Sequence, residues 1–381
     1  MKPIVVAFDS FKGSLTAPQA CAAFATGVRD ILPEVEIHNL AISDGGEGFS
    51  ELVSAALGGT PVECRVTDPL GREHNAHYAI VGGDSAVIAL AEASGLTLLD
   101  VAERNPLVAS TYGMGEMLCD ALLRGCRRII VGLGGSATTD GGAGVLRALG
   151  CHFYDAEGVE LTATIDILER VARIDASEAV AALRDVVIEV AVDVGNPLYG
   201  DSGAAYVFAP QKGADVVMVE RLDAALRHYA EVVDGYCGYA ASQISGAGAA
   251  GGVGYAFVAI LGCRLTPGIE LLLEMVNFDS MVADAGLVVT GEGRVDSQTL
   301  MGKAPSGVLH RAQRHGVACV AVGGSVVMSE DLQCSGFSAI YESKPQDMSV
   351  EEAMDGVQAF KNLQKVGRKV AEAYKKGMTN M

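Results

Sequence analysis

The 381-residue chain has no tryptophan, and aromatic residues make up only 6% of it. It therefore offers no evident flat platform on which a nucleic-acid base would stack. Basic side chains are scarce as well: 28 Lys and Arg stand against 47 Asp and Glu, a formal net charge of −19. Nucleic acid and anionic membranes are poor partners for such a surface, because their phosphates would be repelled over all of it. No apolar run reaches the ~18 residues of a membrane-spanning helix. The opening KPIVVAF stops at Asp9 after the apolar run Ile4–Phe8, too short for the core of a signal peptide. The nine cysteines include no C-x-x-C pair, and they read as reduced, small apolar side chains of a cytoplasmic protein. His74 and His77 lie close in sequence but lack a third ligand, so no metal site is expected there.

Half the residues are hydrophobic, enough to bury a large core, and the length favours two domains. Residues 2–8 and 36–42 read as buried strands, each followed by a helix, and Thr16 is placed to cap the first. This βαβα rhythm belongs to a parallel sheet covered by helices. Residues 61–67, 73–81 and 85–92 then read as an antiparallel meander. From about residue 270 the βα rhythm returns, with strands at 286–290, 318–323 and 338–342 and an amphipathic C-terminal run. The expected fold is α/β in two domains: a doubly wound, Rossmann-like parallel-sheet domain from 1–60 and 280–381, and an inserted α/β domain with a mixed sheet from 61–279.

What the chain does have is glycine, 47 residues of it, concentrated in loops that follow strand-like runs. The stretch IIVGLGGSATTDGGAG (129–144) fits a dinucleotide-binding fingerprint as far as Ala137. The residues TTDGG that follow are a poor first helical turn, since a helix should begin at the second glycine to meet a pyrophosphate. Gly302-Lys303 is followed by Ala304, where a P-loop needs Ser or Thr. The remaining loops share small residues, a carboxylate and often a basic group. They are DSFKGS (9–14), SDGGEG (43–48), GGSATTDGG (134–142), DVGNP (193–197), PQKG (210–213), the glycines of 246–254 and GEGRVD (291–296) with Lys303. Backbone N–H groups of such loops close on phosphate oxygens, and phosphoryl transfer needs cations, Mg²⁺ and one carboxylate to orient the attacking hydroxyl. Any one of these turns is ordinarily a chain reversal, and Asp44 or Asp140 is equally a cap. Their recurrence in an acidic chain is what points to a kinase.

Taken together, the segments resemble the type-1 glycerate kinases, the bacterial family that includes the glycerate 2-kinases. The resemblance rests on DSFKGSLTA (9–17), SDGGEG (43–48), GLGGSATTDGGAG (132–144), NPLYGDSGAAYVFAPQKGA (196–214), GAGAAGGVG (246–254) and GEGRVDSQTLMGKAP (291–305). Ser245 stands where the family often has proline, and VGGSVV (322–327) departs from its usual alanine-glycine version. The resemblance implies transfer of the γ-phosphoryl group of ATP to the 2-hydroxyl of D-glycerate, with Mg²⁺, in an active site in the cleft between the two domains. Within that frame Gly134, Gly135, Ser136, Thr139, Asp140 and Lys303 are expected to cradle phosphate. Asp193, Asp296 and Lys12 are expected to be catalytic, with Asp193, Glu292 and Asp296 as magnesium partners. Asp9, Ser10, Asp44, Lys212 and Arg294 are expected to contact the substrate.

Overall fold

The computed structural model describes residues 1–43 and 49–377. The chain divides into two compact units, Met1–Asp44 with Ile269–Met381, and Gly45–Gly268. These divisions differ from the expected ones at 60/61 and 279/280. The helix Phe49–Ala56 packs on the sheet of the second unit. The helices Gly268–Met275 and Phe278–Asp284 are tied to the first, where Arg311 pairs with Glu270 at 2.7 Å and with Asp279.

In chain order, β1 (Ile4–Phe8) and β2 (Ile37–Ala41) open the first unit. The second unit supplies β3 (Thr60–Thr67), β4 (Glu73–Val81), β5 (Ser85–Ala89), β6 (Arg128–Gly132), β7 (His152–Tyr154) and β8 (Glu160–Leu161). It continues with β9 (Arg173–Asp175), β10 (Val187–Val192) and β11 (Arg264–Pro267). The chain returns to the first unit with β12 (Leu287–Val295), β13 (Cys319–Val326) and β14 (Ala339–Glu342).

The first unit is one parallel sheet, in the order β14-β13-β12-β1-β2. Its central strands are near-continuous apolar runs such as IVVAF, as expected of strands covered on both faces. Numbered within the unit, the order is 2-1-3-4-5, a doubly wound arrangement whose direction of growth reverses between β1 and β12. The helix Ala17–Ile31 starts in a capping box in which Thr16 accepts from the Gln19 N–H and Gln19 accepts from Thr16. It buries Phe24 and Val28 against Leu363, Val366 and Val370 of the C-terminal helix Gly356–Lys375.

The second unit has a six-stranded mixed sheet, β11-β10-β6-β5-β4-β3. The expected meander is present: β3, β4 and β5 pair antiparallel, and β5, β6, β10 and β11 run parallel. A small antiparallel sheet, β8-β7-β9, carries the YDAEG turn as a hairpin closed by Asp155 N–H donating to the Val159 carbonyl at 3.0 Å. All nine cysteines are free thiols, and burial pushes the Cys21 and Cys151 thiols up to about 12. Among the described residues no helix is long and apolar enough to cross a membrane.

Candidate active site

In open α/β sheets ligands sit at the carboxyl ends of strands, where the strand order reverses. In the first unit that place is the end of β1 and the middle of β12. Phe8 pairs with Gly291 there, and the Asp9 N–H donates to the Gly291 carbonyl at 2.9 Å. Asp9 and Glu292 therefore leave the pairing side by side. A cavity of about 320 Å³ opens at this point, lined by Asp9, Ser10, Lys12, Glu292, Arg294 and Lys303. Strand β12 continues past the expected end at Thr290, so GEGRV is strand and not loop, with Arg294 opposite Ser325 of β13. Strand alternation sends Glu292 and Arg294 to the same side, and both reach the cavity.

Hydrogen bonds hold this wall in place. Glu292 accepts from the Thr299 hydroxyl at 2.7 Å and lies 3.5 Å from Lys303 Nζ. Arg294 Nε donates to Asp296 at 2.9 Å, and Asp296 also accepts the Gln298 N–H at 2.9 Å as the cap of the short helix Ser297–Leu300. Asp296 therefore orients Arg294 and its own helix and does not line the cavity. Lys344 completes the cationic set, so among the described residues Lys12, Arg294, Lys303 and Lys344 outnumber Asp9 and Glu292 on the wall. In a chain of net charge −19 this is a local positive surplus, the condition for holding a polyanion.

No group of three or more metal-ligating side chains occurs among the described residues. Mg²⁺ does not require one, since it is commonly held by one or two carboxylates together with substrate phosphates. Asp9 and Glu292 fit that donor set. Of the expected magnesium partners only Glu292 lies in the cavity, because Asp296 is engaged with Arg294 and its cap, and Asp193 belongs to the second unit.

The glycine-rich loop after β6 behaves otherwise than its sequence suggests. Gly134 and Gly135 reach a second cavity, of about 580 Å³, whose ionisable side chains among the described residues are Glu51, Glu92, His74 and His77, with no Lys or Arg. Ser136, Thr139 and Asp140 turn inward, at 7%, 0% and 0% exposure. Asp140 accepts from Thr111 N–H and Oγ1 at 2.8 and 2.7 Å and from the N–H groups of Gly142 and Gly144 at 3.0 and 3.2 Å. Burial raises its carboxyl above the ordinary range against the pull of those four donors. Its hydrogen-bonding capacity is spent inside the fold, at the start of the helix Ala143–Ala148. The Ser136, Thr139 and Asp140 side chains expected to cradle phosphate are thus buried and line neither cavity.

The glycines of 246–254 explain why. Gly251 (φ +69°) lies so close to the first loop that an added Cβ would fall 2.1 Å from the Thr138 carbonyl, and one on Gly252 would fall 2.6 Å from Gly141 Cα. The two glycine clusters are needed for each other's backbone approach.

Lys212, expected to contact the substrate, is buried as well. It is 2% exposed, and its ammonium group donates to the Thr138 carbonyl and, at 3.5 Å, to Ser136 Oγ. It braces the loop from behind and lines neither cavity. Burial lowers its amine to about 7, with Asp140 pulling the other way. Asp193 is exposed, immediately beyond β10 at the carboxyl end of a parallel strand. Asp44 lies outside the described residues.

Ser343, Lys344, Met354 and Asn362 are among the cavity residues that escaped the sequence reading. Ser343 and Lys344 directly follow β14, and the rule that located Asp9 would have found them. Met354 and Asn362 lie within helices Val350–Met354 and Gly356–Lys375, where no local pattern marks a binding residue.

The geometry meets an independent line of evidence in comparison with known proteins. The family model for the glycerate kinase family matches residues 4–375. A glycerate kinase of Halalkalibacterium halodurans is 42% identical over 373 residues, covering 97% of this chain and 98% of that one. A glycerate 2-kinase of Escherichia coli K12 is 40% identical over 381 residues, covering 99% of each. A crystal structure assigned provisionally to glycerate kinase 2 of Salmonella typhimurium LT2 superposes with a TM-score of 0.85 at 40% identity, over 99% of both chains. With agreement along its whole length in both sequence and fold, the chain belongs to the glycerate kinase family.

Proposed function

We propose that this protein is an ATP-dependent glycerate 2-kinase, moving the γ-phosphoryl group of ATP to the 2-hydroxyl of D-glycerate and releasing ADP and 2-phosphoglycerate. The observation that carries the reading is the cationic cavity at the β1/β12 reversal, in a member of this family. The full-length likeness to a glycerate 2-kinase supports the choice of hydroxyl. Phosphoryl transfer leaves the protein chiefly to position reactants and to neutralise charge on the moving oxygens. Lys12, Arg294 and Lys303 serve that purpose, and Arg294, oriented by Asp296, suits bidentate contact with a carboxylate or phosphate. Mg²⁺ bound with the nucleotide supplies further charge neutralisation, and Asp9 and Glu292 are the residues that would hold it. Asp193 is assigned to orient the substrate hydroxyl and accept its proton. The ATP requirement and the nine free thiols favour a cytoplasmic setting.

ADP release from ATP across a panel of small hydroxy acids tests the reading, with ³¹P NMR of the product giving the position of the phosphate. Activity confined to an acid other than glycerate, or a 3-phosphorylated product, overturns it. Asp193→Asn is expected to lower kcat about 10²-fold or more. Near-normal turnover of the folded variant removes Asp193 from the mechanism.

A further inference from the structure

Glycerate and a nucleotide are both anions, so cations alone do not say which of them the first-unit cavity takes. Its apolar wall does. Beside the charged residues the cavity is lined by Val350, Ala353 and Met354, and by Ala359 and Leu363 of the next helix. Val350 and Met354 keep 63% and 44% of their surface exposed, although both are large and apolar. A three-carbon hydroxy acid has no apolar face to cover them, whereas a purine ring has two. Methionine sulfur is polarizable and makes favourable contacts with aromatic rings. In a chain without tryptophan, such a wall does the work of a stacking residue.

The same wall carries a polar reader. Asn362 is 2% exposed and lines the cavity. Its Oδ1 accepts from Gln358 at 2.9 Å, while its Nδ2 meets only the Met348 thioether, at 3.5 Å. Sulfur is a weak acceptor, so the buried amide keeps donor capacity that a ring nitrogen of a base would use. Size agrees: about 320 Å³ is the scale of pockets that enclose drug-sized ligands. The second cavity is larger but, among the described residues, has no Lys or Arg on its wall and is less suited to a polyphosphate.

We infer that the first-unit cavity is the nucleotide subsite: the base lies on the Val350–Met354 wall beside Asn362, and the phosphates lie at Lys12, Arg294 and Lys303. The inference rests on the kinase reading above and adds where the base sits.

Titration calorimetry with ADP and with inorganic diphosphate, without glycerate, isolates the base from the phosphates. Wild-type protein is expected to bind ADP more tightly than diphosphate. Met354→Ala, at a half-exposed position that does not threaten the fold, is expected to narrow that gap about 10-fold while leaving diphosphate affinity unchanged. Asn362→Asp replaces the donor by an acceptor at equal size and is expected to narrow the gap too, with a thermal-unfolding control. A gap intact in both folded variants, or wild-type protein that binds diphosphate as tightly as ADP, overturns the inference. Protein that shows the expected gap but phosphorylates no glycerate overturns the proposed reaction and supports the subsite. Active protein with an intact gap in both variants overturns the subsite alone.

Discussion

Burying Lys212 leaves its amine with the Thr138 carbonyl and the Ser136 hydroxyl in place of water. The loss of hydration outweighs these contacts and brings its pKa from 10.5 to about 7. Unfolded chain therefore binds a proton at this side chain between about pH 7 and 10.5 that folded chain does not. Stability contributed at this position is lowest below pH 7 and rises across that window. Lys212→Met should abolish the rise, so that wild type gains on the variant between pH 7 and pH 9 in urea titrations. Parallel pH profiles would sink the assignment. At this scale the residue types were legible from sequence and their directions were not. A carboxylate or an amine beside a Gly-Gly turn reads the same whether it faces a ligand or caps its own helix. For Asp140 and Lys212 burial decided, and the loop that holds Asp140 packs against the second glycine cluster, over a hundred residues from it in the chain.

Among the elements, the helix Ala17–Ile31 was well marked, because its capping residues lie within one turn and act locally. That it packs on the amphipathic C-terminal run was not. It crosses Gly356–Lys375 at two glycines: a Cβ on Gly27 would stand 2.0 Å from the Gln364 carbonyl, and one on Gly367 would stand 2.3 Å from the Phe24 carbonyl. The backbones touch there, so Gly367→Leu has no rotamer that spares the contact. A loss of about 3 kcal/mol is expected from such overpacking, read from the urea midpoint, and an unchanged midpoint would refute the close crossing. Strand β12 shows the opposite case. Its far half, GEGRV, has the composition of a loop, and pairing with β13 overrides that preference. The override matters to function, since it brings Glu292 and Arg294 to one wall.

The molecule as a whole assembles its first unit from both ends of the chain. β1 lies between β2 and β12, Arg368 pairs with Asp30 at 2.7 Å, and Tyr374 donates to the Lys2 carbonyl at 3.1 Å. Removing residues 356–381 would strip Leu363, Val366 and Val370 from the core around Phe24 and Val28. At about 1.5–3 kcal/mol for each fully buried side chain, that loss is comparable to the whole net stability of a domain. The truncated chain should lose hydrogen-exchange protection at the β1 and β12 amides. Retained protection there would show that the first unit stands without its last helix.

The sequence by itself determined the alternation of strands and helices, the meander, the family and the loops that carry charge, because each depends on neighbours within a few residues. Only the tertiary structure decided which of those loops shares a cavity with which. Asp9 and Glu292 are nearly three hundred residues apart in the chain, and parallel pairing of β1 with β12 makes them neighbours. Ser136, Thr139 and Asp140 sit in the most conspicuous motif of all and are turned inward by packing. Local chemistry is written residue by residue, whereas burial and juxtaposition depend on contacts that close only when the whole chain has folded.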